Sequence, residues 1–130
     1  MAAGEASEGG DLAGVTVLVV EDEYLVAIDH EATLLSLGCA VLGPAASIAE
    51  AMRLLDRRPV DVALLDVNLP DGLVTPVVER LARQGVPVVL ASAYGVDQLP
   101  GQLRGVARHL GKPVDRRELR RALLDSVGPS

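Results

Sequence analysis

Tryptophan and phenylalanine are absent from these 130 residues, and two tyrosines are the only aromatic side chains. The core must therefore be built from Val, Leu and Ala, and apolar residues, at 49%, are plentiful enough to build it. Basic residues are also scarce, 12 Lys and Arg against 18 Asp and Glu, for a formal charge of −6. That balance excludes a nucleic-acid surface, which needs clustered cations. The one basic run, Arg116-Arg117 with Arg120-Arg121, is broken by Glu118 and flanked by Asp115 and Asp125. It reads as a solvated helix face, with partner binding as the alternative. Cys39 is the sole cysteine, so no internal disulfide forms, and a reducing, cytoplasmic compartment fits. In its apolar run the thiol reads as core filler rather than as a nucleophile. No apolar stretch approaches the roughly 20 residues of a membrane span. The opening MAAGEASEGGDLAG lacks the hydrophobic centre of a secretory signal. The expected organisation is a disordered tail over 1–12, one domain over 13–127 and a short C-terminal tail over 128–130.

Strand and helix signals alternate through that domain. Val15–Val20 is β-branched and apolar on both faces, as a central parallel strand should be. The helix after it carries Leu25, Ile28, Ala32 and Leu35 on one face, expected to be the buried one, and stops at Gly38. A second strand covers about Cys39–Leu42 and ends at Gly43-Pro44. The second helix opens with a capping box, Ser47 and Glu50, and turns Ile48, Ala51, Met52 and Leu55 inward. Val62–Leu65 is the third strand. Thr75-Pro76 marks the start of the third helix, a cap followed by proline, with Val77, Val78 and Leu81 buried and Gly85 at its end. Val86–Ala91 and about Val106–Leu110 complete five strands. Asp115 and Glu118 open the last helix, which buries Leu119, Ala122 and Leu123. Between the last two strands Gly95, Pro100, Gly101 and Gly105 leave room for a short or irregular fourth helix only. Five such units with right-handed crossovers predict an α/β, flavodoxin-like, doubly wound five-stranded parallel sheet in the order 2-1-3-4-5. Ligands bind such sheets beyond the carboxyl ends of the strands.

The chemistry-bearing residues sit at those ends. VTVLVVEDE closes on Glu21 and Asp22, DVALLDVNLPDG carries Asp66, VPVVLASAYG carries Ser92, and HLGKP carries Lys112. Three carboxylates at one sheet edge repel each other unless a cation lies among them. Mg²⁺ suits such a set, because it takes oxygen ligands and keeps several waters. A carboxylate can act as nucleophile towards phosphorus, and a lysine and a hydroxyl can neutralise and orient a phosphoryl group. Each residue alone has an ordinary reading: Glu21 and Asp22 as a favourable charge at a helix start, Ser92 as a strand-end hydroxyl, Asn68 as a turn former.

In combination VLVVEDE, LLDVNLPDG, ASA and KP resemble the receiver domain of bacterial two-component response regulators, over roughly Leu12 to Ser126. The resemblance implies Asp66 as phosphoacceptor, accepting a phosphoryl group from the phosphohistidine of a sensor histidine kinase. It implies Glu21 and Asp22 as the acidic pair that holds Mg²⁺, with Asp22 a direct ligand, and Asn68 as a ligand through its backbone carbonyl. Ser92 would hydrogen-bond the phosphoryl group, and Lys112 would balance its charge. Pro113 would follow a cis peptide. Several positions depart from the pattern. Glu21 stands where Asp is commoner. His109 stands where the family has a rotating Tyr or Phe switch, so it reads either as a pH-sensitive switch or as a plain exposed histidine. Tyr94, two residues after Ser92, occupies a position that tunes access of water to the phosphoaspartate, and its bulk predicts slow hydrolysis. The Tyr-Gly after the fourth strand and the LPDG loop are similar to the FATGUY-type receivers, although Ala-Ser-Ala replaces their Phe-x-Thr-Gly pattern. That subclass implies kinases of the HWE type.

No helix-turn-helix or basic module follows the last helix, so the expectation is a stand-alone regulator or phosphoryl sink acting through protein contacts, with a homodimer compatible. The rivals are a pseudo-receiver that binds partners without phosphorylation, a haloacid-dehalogenase-type phosphatase and a nucleotide binder. The phosphatase needs a second Asp where Asn68 stands, and the nucleotide binder needs a Gly-rich loop after the first strand.

Overall fold

The computed structural model describes residues 12–105 and 108–128. Its elements are β1 Thr16–Val20, α1 Tyr24–Ser36, β2 Ala40–Ala45, α2 Ile48–Arg57 and β3 Val62–Asp66. A small hairpin follows, β4 Asn68–Leu69 and β5 Gly72–Leu73, then α3 Thr75–Arg83 and β6 Val88–Ser92. A 3-10 turn over Val96–Gln98, the four-residue α4 Gly101–Arg104, β7 Arg108–Gly111 and α5 Arg116–Val127 complete the chain. The five long strands pair in parallel in the order β2-β1-β3-β6-β7. With the hairpin set aside this is the flavodoxin-like order 2-1-3-4-5 read from the sequence.

Alternate residues of each central strand enter opposite layers, which is why these strands are apolar on both faces. Val17, Val19, Leu64 and Val89 pack under Leu34 and Leu37 of the α1 segment and Leu119, Ala122 and Leu123 of α5, with Cys39 in the same cluster. Leu18, Val20, Leu65 and Leu90 pack under Ala51 and Leu55 of α2, Val77, Val78 and Leu81 of α3, and Leu103 of α4. The inward faces expected for α2, α3 and α5 are therefore the ones observed. So is the irregular fourth helix, reduced to one turn where glycine and proline crowd the sequence.

The first helix departs from expectation. Leu25, Leu35 and Ile28 are 77%, 55% and 42% exposed, and Ala32 is exposed too. The buried face is Ala27, His30 and Leu34. α1 carries apolar side chains on two stripes, so its periodicity points weakly in either direction, and a buried histidine hides the true inward one.

β2 also runs further than expected, through Gly43-Pro44 to Ala45. The register to β1 slips between Leu18 and Val20, and the slip is accommodated at Gly43, whose φ is +104°. A Cβ there would lie 2.8 Å from the Ala45 nitrogen and 2.9 Å from the Val19 carbonyl oxygen, so only glycine fits. Proline is tolerated because β2 is an edge strand. Thr75 is not the cap of α3: Val74 holds that position, and the Thr75 hydroxyl is buried without a hydrogen-bond partner among the described residues. β6 starts two residues later than expected, at Val88, and ends at Ser92. Val106, the expected start of the last strand, lies outside the described residues, as do 1–11 and 129–130. Leu12, assigned to the tail from sequence, is fully buried in the layer beneath α5.

Candidate functional site

The strand register assembles the site. β1 ends one residue before Glu21, and β3 ends on Asp66. Asp66 pairs with Ala91, so Ser92 lies one step beyond it on β6. Ser92 pairs with Gly111, and its carbonyl accepts the Lys112 N–H at 3.1 Å, which sets the lysine at the same edge. Four strand ends separated by up to 91 residues thus deliver their side chains to one place.

Carboxylate oxygens of Glu21, Asp22 and Asp66 lie within 4.8 Å of one another, with Glu21 buried, Asp66 half-buried and Asp22 exposed. The Lys112 ammonium donates to Glu21 Oε1 at 2.7 Å and lies 3.3 Å from Asp66 Oδ1. The second Glu21 oxygen accepts the Glu23 N–H at 3.1 Å. The glutamate that replaces the commoner aspartate therefore has both oxygens engaged, one of them by the lysine. Burial pushes the Asp66 carboxyl up to about 6, the Glu21 charge pushes the same way, and Lys112 pulls against them. Burial also presses on the Lys112 ammonium, but its hydrogen bond to Glu21 and the charge of Asp66 outweigh this and hold its pKa above the ordinary lysine value. An acidic cluster with a single lysine is short of positive charge. Its all-oxygen donor set is what a hard divalent cation takes, so the residues present fit Mg²⁺.

The remaining expected positions are placed as follows. Ser92 is buried, and its hydroxyl accepts the Tyr94 N–H at 3.0 Å. Tyr94 itself is 56% exposed and borders an open cavity of about 390 Å³ with Asn68, Leu73 and Leu99. Asn68 is exposed and begins β4, two residues after Asp66. The Lys112–Pro113 peptide is cis, as is Gly43–Pro44. His109 is partly buried, and its Nε2 has no hydrogen-bond partner among the described residues.

Two residues near the site carried no signal in the sequence reading. His30 is buried within α1 with Nδ1 unpartnered among the described residues. Burial lowers its pKa, with Glu21 opposing and Lys112 reinforcing, so it feels both charges of the site. Asp71, in the hairpin turn, accepts the Ile48 N–H at 2.9 Å and the Ala49 N–H at 3.1 Å. A carboxylate capping a helix from 22 residues downstream has no local signature.

The family described as the response regulator receiver domain matches residues 17–124. Among curated proteins, the transcriptional regulatory protein CitT of Bacillus subtilis (strain 168) is 31% identical over 115 residues, 85% of this chain and 51% of that protein. The phyllosphere-induced regulator PhyR of Methylorubrum extorquens is 35% identical over 101 residues, 75% of this chain and 38% of that protein. This chain thus spans about half or less of the length of the curated relatives it matches. The solution structure of the PhyR receiver domain of Erythrobacter litoralis superposes with a TM-score of 0.79 at 27% identity, covering 91% of this chain and 96% of that one. No helix among the described residues is long and apolar enough to cross a membrane.

Proposed function

The chain belongs to the response regulator receiver domain family of two-component systems, and from that premise we propose that Asp66 accepts a phosphoryl group from the phosphohistidine of a sensor kinase. The observation that carries this reading is the juxtaposition of Asp66 with Glu21, Asp22 and the Lys112 ammonium. An ionised Asp66 oxygen attacks phosphorus and forms a P–O bond as the P–N bond to the donor imidazole breaks. The bonding pair leaves with the imidazole nitrogen, which takes up a proton. The product is an acyl phosphate.

Glu21, Asp22, Asp66 and the Asn68 carbonyl are the groups that would hold Mg²⁺. The bound ion would supply charge neutralisation for the carboxylates and for the developing phosphoryl oxygens. Lys112 lies close enough to exchange its carboxylate partners for a phosphoryl oxygen, and the Ser92 hydroxyl is a donor at the adjoining strand end. Tyr94 limits the approach of water to the acyl phosphate. His109 takes the place of the aromatic switch. The chain is a signalling domain, and any chemistry of its own is confined to gaining and losing that phosphoryl group.

The donor protein has a seat beside this edge. Tyr24, Leu25 and Ile28 are exposed apolar side chains directly after Asp22-Glu23, the sort of surface that marks a protein contact. The LPDG loop and the Tyr-Gly after β6, similar to those of the FATGUY-type receivers, point to a kinase of the HWE type as donor. The output passes through a protein contact of the phosphorylated domain.

Beryllofluoride, which mimics a phosphoryl group on a carboxylate, tests the reading without a kinase. With Mg²⁺ it raises the melting temperature of the wild type and leaves Asp66→Ala unchanged. Equal responses, or none in either, would support the second reading, a phosphorylation-independent binding module.

A further inference from the structure

The loop that would offer the Asn68 carbonyl to the cation is a small hairpin, Asn68 paired with Leu73 and Leu69 with Gly72, turning at Pro70-Asp71. So short a ladder is weak by itself. Asp71 ties it to the rest of the molecule. Its two carboxylate oxygens accept the N–H groups of Ile48 and Ala49, the first two residues of α2, at 2.9 and 3.1 Å. Gly72 beside it has φ +133°, and a Cβ there would approach the Ile48 Cδ1 to 3.7 Å, so the hairpin lies directly against the helix start. Asp71 is itself exposed, and its carboxylate is engaged by the two α2 amides.

The helix start is in turn fixed to the other half of the site. Ala45, two residues before the Ser47 cap, accepts the Glu21 N–H at 2.8 Å. Ser47 caps the Glu50 N–H at 3.1 Å, and Glu50 Oε1 accepts the Ala46 N–H at 2.8 Å, so the turn between β2 and α2 is held on its own account. A path therefore runs from Glu21 by a hydrogen bond to Ala45, along the braced backbone of the turn into α2, and by two hydrogen bonds to Asp71 and the hairpin. Its two ends are the acidic pair after β1 and the Asp66–Asn68 segment after β3, the two segments that must stand at a fixed separation to share one ion.

From this path we infer that Asp71 is the positioning residue of the cation site, a clamp that sets the Asn68 loop against the Glu21-Asp22 loop through the N-terminus of α2. The inference rests on the cation reading given above. Its carboxylate is suited to the place: the Ile48 amide above all, with help from the Ala49 amide and its own, holds its pKa below the ordinary aspartate value although desolvation opposes them. The clamp is therefore charged wherever Asp66 is ionised. Outer groups of this kind change metal affinity without touching the metal.

Titration of the metal-free protein with MgCl₂ by calorimetry tests it, with four chains: wild type, Asp71→Ala, Asp71→Asn and Ser47→Ala. Asp71→Ala is expected to weaken Mg²⁺ binding by about tenfold. Asp71→Asn, which keeps one acceptor at the same place, should recover most of the loss. Ser47→Ala loosens the start of the same helix but leaves the hairpin attached, and should cost clearly less affinity than Asp71→Ala. Two results would overturn the clamp: an Asp71→Ala affinity equal to the wild type, or an equal loss in Ser47→Ala, which would make helix capping the whole effect. A wild type that takes up no Mg²⁺ would instead remove the cation reading itself, and the clamp with it.

Discussion

Asp66 ionises against its surroundings, and the consequence is measurable. In the folded chain its pKa is pushed up to about 6, against 3.8 when unperturbed, chiefly because of burial and secondarily because of Glu21. The folded state holds the proton more tightly than the unfolded state, so this group's contribution to stability is full below pH 3.8. It is lost as pH rises through about 6. At pH 8 without Mg²⁺ the penalty is at most about 3 kcal/mol. Asp66→Asn should therefore raise the melting temperature at pH 8 in EDTA and leave it nearly unchanged at pH 3.5. An equal gain at both pH values would contradict the electrostatic origin. Tyr94 makes a separate prediction: Tyr94→Ala should shorten the lifetime of the phosphorylated protein, and a lifetime unchanged or lengthened would refute the screening role. At this scale the placement of Asp66, Ser92 and Lys112 was legible because the first two end apolar strands and the third directly follows one, and strand ends in a parallel sheet share an edge. His30 and Asp71 were not. A histidine inside a helix and an aspartate in a turn look the same in sequence whether or not they face a site.

Among the elements, α1 shows where periodicity fails. Two apolar stripes run along it, and only packing decides between them. Leu34, fully buried, should cost about 2–5 kcal/mol when cut to Ala. Leu25, 77% exposed, should cost less than about 0.5 kcal/mol. Chemical denaturation of the two variants checks this, and the reverse order would restore the face expected from sequence. The outward stripe has its own consequence. Ile28→Asp should slow transfer from a phosphorylated kinase while leaving labelling by acetyl phosphate unchanged, because only the first requires a docked protein. Equal slowing of both would place the effect in the site rather than at a docking surface. β2 teaches the complementary lesson. Gly43-Pro44 normally punctuates a chain, yet here the strand continues, because an edge strand needs only one hydrogen-bonded side and the glycine absorbs the slip in register. The capped helices α2 and α5 were easier to read, since Ser47 and Asp115 accept from Glu50 and Glu118 as local spacing requires.

For the whole molecule, the alternation of strands and helices and the five-stranded order were readable because both faces of the sheet demand apolar strands and each crossover supplies a helix. The extent of the domain was less so: Leu12 belongs to the core, although the Gly-rich segment before it gave no sign of where packing begins. The sheet brings the reacting groups from four strand ends to one edge, and the account stands on their acting together. Intact-mass spectrometry after incubation with acetyl phosphate and Mg²⁺ tests that most directly, beside Asp66→Ala and a sample in EDTA. The account predicts a single phosphoryl adduct on the wild type, absent from the variant and from the chelated sample. An adduct that survives either Asp66→Ala or EDTA, or a wild type that gains none, would contradict it.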